Sequence, residues 1–340
     1  MEFQWLLVAL VGLLPVCVFL AGLVFFDSYK LVKLKTVLLT LLLGALASGL
    51  SYLVNSGLLK SFDLEWLTLT RYVAPVVEEC LKALCVILLI HLHRIGFLVD
   101  AAILGFAVGA GFALVENFYY FQQLDAKFGI WFVRGFGTAI MHGGVTAIFA
   151  ILLQTLSDRS LKVALKYYLI ALLPAVLIHG FYNQFILNPM TSTMMIIALL
   201  PAFLYLVFIR SQAHVSEWLE LDFDADAQLI ADLSNGRFSE TKAGQYMQSL
   251  RDRFEGEVLL DMFCYLKLYT ELAIRAKGIL MMKENGFDIP AGERTDAKFK
   301  ELQYLEKSLG KSGLLVVRPF LQMDRKDLWQ LNMLSEHTKV

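Results

Sequence analysis

Glu78 and Glu79, followed by Lys82, interrupt a run from Val73 to Ile87 that is otherwise apolar enough to cross a bilayer. Each Asp, Glu or Lys near the centre of a spanning helix costs about 2.5–3.5 kcal/mol on insertion scales, so such residues mark function or a compensating partner. Lys82 lies one turn past Glu78 and three residues past Glu79. One helix face therefore brings both carboxylates to its ammonium, in the favoured order of Glu before Lys. Two glutamates against one lysine leave a surplus negative charge, which calls for a proton, a metal ion or a histidine. The bland alternative is a buried ion pair that only fixes helix register.

Further polar groups interrupt later apolar runs. Glu116 and Asn117 close one of them and are followed by Tyr120; His142 sits in Met141-His142-Gly143-Gly144, and His179 precedes Asn183 by one turn in His179-Gly180-Phe181-Tyr182-Asn183. A lone intramembrane histidine is more often a hydrogen-bonded core residue than a ligand, and Glu116 could simply reach the interface. Depth argues for a shared site. At about 1.5 Å per helical residue, Glu78 and Glu79 lie ~11–12 Å below one end of their helix and His142 ~17 Å. His179 lies ~12 Å and Glu116 within ~8 Å of the same face of the bilayer. Glycines at 143, 144 and 180 flank the histidines and are expected to leave room for a water or a substrate backbone.

The elements that position these groups are helices. The chain has 340 residues, 57% hydrophobic and 18% charged, which marks an integral membrane protein rather than a soluble one, and its net charge of −1 gives no reason to expect nucleic acid. The cysteines, Cys17, Cys80, Cys85 and Cys264, form no CxxC pair, so neither a disulfide framework nor a cysteine zinc site is indicated. Apolar stretches of spanning length occur at about 3–26, 36–54, 71–92, 97–121, 131–156, 167–187 and 191–209. In lipid their backbones must close into helices. The first is read as an uncleaved span, since Glu2 and not a basic region precedes it. Gly44 with Ser48, and Gly105 with Gly109 and Gly111, mark faces of close helix packing.

From Ser211 the composition turns charged, with helical periodicity over about 214–234, 239–254, 256–285, 294–309 and 324–335, Ser239 and Asp324 as N-caps and Gly286 and Gly310 as stops. The fold class is therefore all-α: a polytopic bundle of about seven transmembrane helices over residues 1–210, then a cytoplasmic helical domain over 211–340 that regulates or binds a partner. Lys30, Lys33, Lys35, Arg94, Arg159, Lys162 and Lys166 fall on alternate connections, which places the N-terminus outside and the C-terminus in the cytoplasm of a multi-pass protein of the cell (inner) membrane.

At Glu78-Glu79 with Lys82, Glu116-Asn117 with Tyr120, His142, and His179 with Asn183, the sequence resembles the PrsW family of intramembrane proteases, related to type II CAAX-prenyl proteases and abortive-infection proteins. The resemblance covers about 73–187. Lys82 comes one position earlier than the usual arginine of the wider group, and Thr138 stands four before His142 where phenylalanine is common. The resemblance implies peptide hydrolysis in the outer half of the bilayer, with Glu78 or Glu79 acting with His142 on a water, His179 and Asn183 facing the oxyanion, and the partner glutamate on Lys82 orienting the base. Glu79 is preferred as that base, with Lys82, Glu116 and Asn117 in support. It also implies a membrane-spanning substrate, such as an anti-sigma factor, and a metal-free mechanism with no cofactor. The rival within the protease class is zinc held by Glu79, His142 and His179, a ligand set that catalytic zinc uses, although no His-Glu-x-x-His is present. Outside that class stand a proton- or ion-coupled transporter or sensor, for which no inverted repeat is evident, and a structural scaffold. The charge pattern predicts that a reporter fused after Val340 reads cytoplasmic; an extracytoplasmic signal would invert the placement of the site.

Overall fold

The computed structural model describes residues 2–27, 29–124, 127–157, 164–284, 287, 294–317, 320–321, 326, 329–331 and 333–334. Every regular element among them is helical. The chain forms two compact units, Met1–Gln212 and Ala213–Val340.

In the first unit, α1 (Glu2–Phe25) and α2 (Leu34–Ser61) precede a composite helix built from α3 (Trp66–Thr68), a π-helical turn (Leu69–Val73) and α4 (Ala74–His91). Next come α5 (Leu98–Phe121), then α6 (Phe128–Phe132) joined by a second π-helical segment (Val133–Ala139) to α7 (Ile140–Ser157), then α8 (Leu165–Asn183) and α9 (Pro189–Ser234). Among the described residues six helices are long and apolar enough to span a bilayer: Trp5–Phe25, Leu34–Ser61, Leu98–Phe121, Phe128–Ser157, Leu165–Asn183 and Pro189–Ser234. The protein is a multi-pass helical membrane bundle. The expected span at 71–92 lies outside this set because it carries Glu78, Glu79 and Lys82. Its pattern is still that of a bundle helix, with Val76, Leu84 and Leu88 exposed outward and Glu79, Lys82, Ala83, Val86 and Ile90 buried inward.

The core is organised around α5, buried on every side from Val99 to Ala113. Its glycines allow this. A Cβ on Gly109 would come within 2.6 Å of the His142 carbonyl carbon, and one on Gly105 within 2.9 Å of the Thr146 carbonyl oxygen, so α5 and α7 meet backbone to backbone. Gly44 and Gly111 make the same close approach between α2 and α5, against the backbones of Phe112 and Leu41. Gly143 and Gly144 serve packing too, contrary to the expectation of open room beside His142. A Cβ there would lie 2.6 Å from the Phe106 ring and 2.5 Å from Leu200, whereas at Gly180 the nearest atom is 4.0 Å away.

Several expected boundaries move. Residues 191–209 and 214–234 belong to one uninterrupted helix, α9, since nothing between them breaks the i to i−4 ladder. Ser239 lies inside a 3₁₀ turn (Arg237–Glu240), and Thr241 is the cap of α10 (Lys242–Ser249), its hydroxyl accepting the Gly244 N–H at 3.1 Å. After α11 (Gly256–Glu284), α12 (Arg294–Val317) is broken at Gly310 (φ 58°, ψ −171°), where its first helical stretch stops as expected and a second begins. Gly286, Asp324 and half of 324–335 fall outside the described residues. Within the second unit the buried Lys277 donates to Asp226 at 2.7 Å and lies over the Trp218 ring, and the Tyr265 hydroxyl donates to Glu306.

Because the Gly109 approach is to rigid backbone, Gly109→Ala should destabilise the protein by about 1–3 kcal/mol. Gly57→Ala, with nothing within 4 Å of the added methyl, should be neutral or mildly stabilising. Thermal unfolding in detergent micelles checks both; equal melting temperatures would contradict the packing account.

Candidate functional site

Pro75 shapes the entry to α4. It has no N–H to give the Arg71 carbonyl, and the chain relaxes into the π-helical turn Leu69–Val73, with Ala74 N–H reaching back to Leu69. The loosened carbonyls are taken up from α8: Asn183 Nδ2 donates to Thr70 O at 3.2 Å and Gln184 Nε2 to Arg71 O at 3.4 Å. This ties the His179-to-Asn183 turn to the start of the glutamate helix. The second π-helical segment, Val133–Ala139, immediately precedes His142 on α7.

Between these elements the charged residues close into one network. Lys82 Nζ lies 2.5 Å from Glu79 Oε1 and 3.0 Å from His142 Nδ1, with the Phe112 ring 4.8 Å beyond. Glu79 Oε1 also meets His179 Nδ1 at 2.7 Å. Since a carboxylate only accepts, Nδ1 of His179 carries the proton and Nε2 keeps its lone pair, toward which Asn183 Nδ2 points at 3.3 Å. The two imidazoles stand edge to face, 4.7 Å between centroids. Glu79, Lys82, His142 and His179 are all buried. Glu78 is partly accessible, its Oε2 3.8 Å from His179 Nε2. Glu78, His142 and His179 each direct a ligand-type atom to a common point, the three atoms lying within 4.8 Å of one another.

Glu116 completes the other side. Its Oε2 is 2.9 Å from His142 Nε2, yet the two are not aligned as a hydrogen bond, and Oε2 is buried without such a partner. Its Oε1 is 3.2 Å from Arg134 Nη2. Arg134 Nε donates to Asn117 Oδ1 at 2.9 Å and its guanidinium lies 4.1 Å over the Tyr120 ring. Asn117 Nδ2 in turn donates to Gly12 O at 2.8 Å, on α1. Glu116, Asn117 and Tyr120 therefore share one partner.

All eight residues singled out from the sequence, Glu78, Glu79, Lys82, Glu116, Asn117, His142, His179 and Asn183, fall in this network. Their parts differ from those expected. Glu79, preferred as base and as zinc ligand, is held by Lys82 and His179, and Glu78 takes its place in the converging set. Asn183 has its amide directed at Thr70 O and His179. Arg134 belongs to the same network and was not singled out from the sequence. Its signal was a cation inside an apolar run, eight residues before His142 on the same helical stretch. A groove of about 300 Å³, lined among others by Met141, Ile178, Tyr182, Ile196 and Leu200, runs along α7, α8 and α9 and includes the chain neighbours of both histidines. In its neighbourhood Thr138 faces the Tyr182 hydroxyl at 3.4 Å.

A model of the PrsW family, described as intramembrane metalloproteases, matches residues 33–209, just over half of the chain. No curated protein and no solved structure matches the chain.

The network predicts a specific coupling. Glu79→Gln leaves Lys82 buried without a counter-charge and should lower stability by about 3–5 kcal/mol, and adding Lys82→Met should recover most of that loss. Thermal melts of the wild type, both single variants and the double variant measure it; additive effects would show that the two residues are not coupled.

Proposed function

This chain belongs to the PrsW family of intramembrane proteases, and from that premise we propose that it hydrolyses a peptide bond of a membrane protein at the cluster of Glu78, His142 and His179. The observation that carries this reading is the convergence of three donor atoms, from α4, α7 and α8, on one point within an otherwise apolar bundle. Two imidazoles and a carboxylate are a donor set used by catalytic zinc. Glu116 Oε2, 2.9 Å from His142 Nε2, adds an acceptor without a hydrogen bond of its own. These residues fit a zinc ion, with Glu78, His142 and His179 as its ligands. When bound, zinc would polarise the scissile carbonyl and acidify water.

The chain's own residues do the rest. Glu79 accepts the Nδ1 proton of His179 and so fixes that ring's tautomer and orientation, the usual task of a carboxylate behind a metal-binding histidine. Lys82 neutralises Glu79 and holds the Nδ1 edge of His142. Asn183 locks the α8 turn onto the π-helical turn of the α4 helix. Glu116, beyond the ligands, is the carboxylate in place to take a proton from the attacking water and return it to the leaving amine. The substrate's spanning segment reaches the site from the lipid along the groove of α7, α8 and α9.

One contact favours a metal-free alternative. The Lys82 ammonium donates to His142 Nδ1, which leaves the ring proton on Nε2, toward Glu116. In that reading His142 and the freer glutamate, Glu78, hold and deprotonate the water.

Around the site, residues 1–210 form the protease domain, and residues 211–340 a cytoplasmic domain that regulates it or binds a partner. The protein lies in the inner membrane with its N-terminus outside, an orientation supported by the basic residues on alternate connections. The site then faces the outer half of the bilayer, and a membrane-spanning regulator such as an anti-sigma factor is the expected substrate.

The test is metal content together with cleavage. Purified protein should hold one equivalent of zinc, lose it in His142→Ala and His179→Ala, and stop cleaving single-span peptides of about 20 apolar residues after exhaustive chelation. Full activity without metal, lost on Glu78→Gln, would establish the alternative instead.

A further inference from the structure

Peptide hydrolysis needs a donor for the carbonyl oxygen as negative charge builds on it. Asn183, expected in that part, has its amide directed at Thr70 O and at His179 Nε2. Lys82 is engaged by Glu79 and His142 and capped by the Phe112 ring. Arg134 differs. Its Nε is fixed on Asn117 and its face on Tyr120, so the guanidinium plane is set. Its Nη2, at the cluster end of that plane, is buried without a hydrogen-bond partner, although Glu116 Oε1 is 3.2 Å away. The side chain as a whole is 14% accessible, and Glu116, next to it, reaches His142 Nε2 with its other oxygen. A fixed donor with an unspent N–H thus stands one carboxylate's width from the histidine. Beside it stands Glu116 Oε2, an acceptor equally without a hydrogen bond.

We propose that Arg134 is a further catalytic residue, whose Nη2 donates the hydrogen bond that polarises the scissile carbonyl and holds its oxygen in the transition state. The inference rests on the reading above that hydrolysis takes place at this cluster, and it holds with or without a metal ion. In the step, the water oxygen bonds to the carbonyl carbon, the C=O π pair moves onto the oxygen facing Nη2, and the water proton goes to a neighbouring carboxylate. Collapse re-forms C=O and breaks C–N. The same proton passes to the departing nitrogen, leaving a carboxylic acid and an amine. Arg134 gains and loses no proton in this step. The π-helical segment that contains Arg134 sets the height of its side chain relative to His142 on the same helical stretch.

The test compares wild type with Arg134→Lys on a single-span peptide of about 20 apolar residues that the wild type cleaves. Lysine keeps the charge beside Glu116 but cannot hold Asn117 and reach the carbonyl at once. Its kcat should fall roughly 10²–10³-fold, the loss seen when one oxyanion donor is removed, with KM little changed. A second probe carries a tetrahedral phosphinate in place of the scissile amide. The variant should bind it more weakly than the wild type by a similar factor, while binding the amide peptide equally well. Added guanidinium ion should restore part of the activity of Arg134→Ala. An unchanged kcat in Arg134→Lys, or equal weakening toward the amide and phosphinate peptides with a lowered melting temperature, would overturn the proposal and leave Arg134 a structural residue. Failure of the wild type to cleave any single-span peptide would instead bring down the protease assignment of the cluster, and this proposal with it.

Discussion

Charge burial in an apolar bundle is the constraint from which the rest of this structure follows. Glu78, Glu79 and Glu116 are answered by Lys82 and Arg134, and each cation is shared. Lys82 joins Glu79 to His142, and Arg134 joins Glu116 to Asn117 and Tyr120. An unpaired charge at this depth would exceed what helix packing alone could offset. The helices must therefore meet in the one register that closes both networks. The glycines of α5 make that register reachable, since Gly109 lets α5 lie against the His142 carbonyl. Packing and electrostatics select the same arrangement.

Both π-helical segments border the cluster, the first through its loosened carbonyls and the second through the Arg134 side chain. At Leu69–Val73 the carbonyls of Thr70 and Arg71 are satisfied by Asn183 and Gln184 from α8, which docks the His179 turn against the glutamate helix. At Val133–Ala139 the extra residue in the turn brings Arg134 to Glu116 and leaves His142 about two turns further along. A regular α-helix through either segment would rotate these side chains away from their partners by a large fraction of a turn. The departures from ideal helix are thus coupled to the site.

The formal balance of the buried groups bears on the chemistry. Three glutamates against Lys82 and Arg134 leave one net negative charge with both histidines neutral. A divalent cation between Glu78 and the imidazoles would change the sign of that balance, and a proton would cancel it. The proposed zinc and metal-free mechanisms are these two ways of meeting one electrostatic requirement. Arg134 acts identically in both, because its charge does not depend on what the histidines hold.

The sequence by itself determined the fold class and the composition of the site. Apolar runs of spanning length leave only helices as a solution in lipid, and ionisable residues placed inside such runs are too unfavourable to be accidental, so Glu78, Glu79, Lys82, Glu116, His142 and His179 stood out from composition alone. Spacing within one helix was equally readable: Glu79 with Lys82, and His179 with Asn183, meet as the helical repeat requires. Roles across helices were not. Which glutamate is bound and which is free depends on a rotation of α4 set by Pro75 and its π-helical turn, a non-local outcome of Asn183 and Gln184 finding loosened carbonyls. Gly143 and Gly144 looked like open space beside His142, but Phe106 and Leu200 fill it from other helices. Arg134 is a lone cation in an apolar run, and only the tertiary structure, by folding α5 against the stretch before α7, turned it inward onto Glu116, Asn117 and Tyr120. One-dimensional periodicity fixes which face a residue lies on. It cannot state what the opposing face presents, and in this protein the opposing face assigns the chemistry.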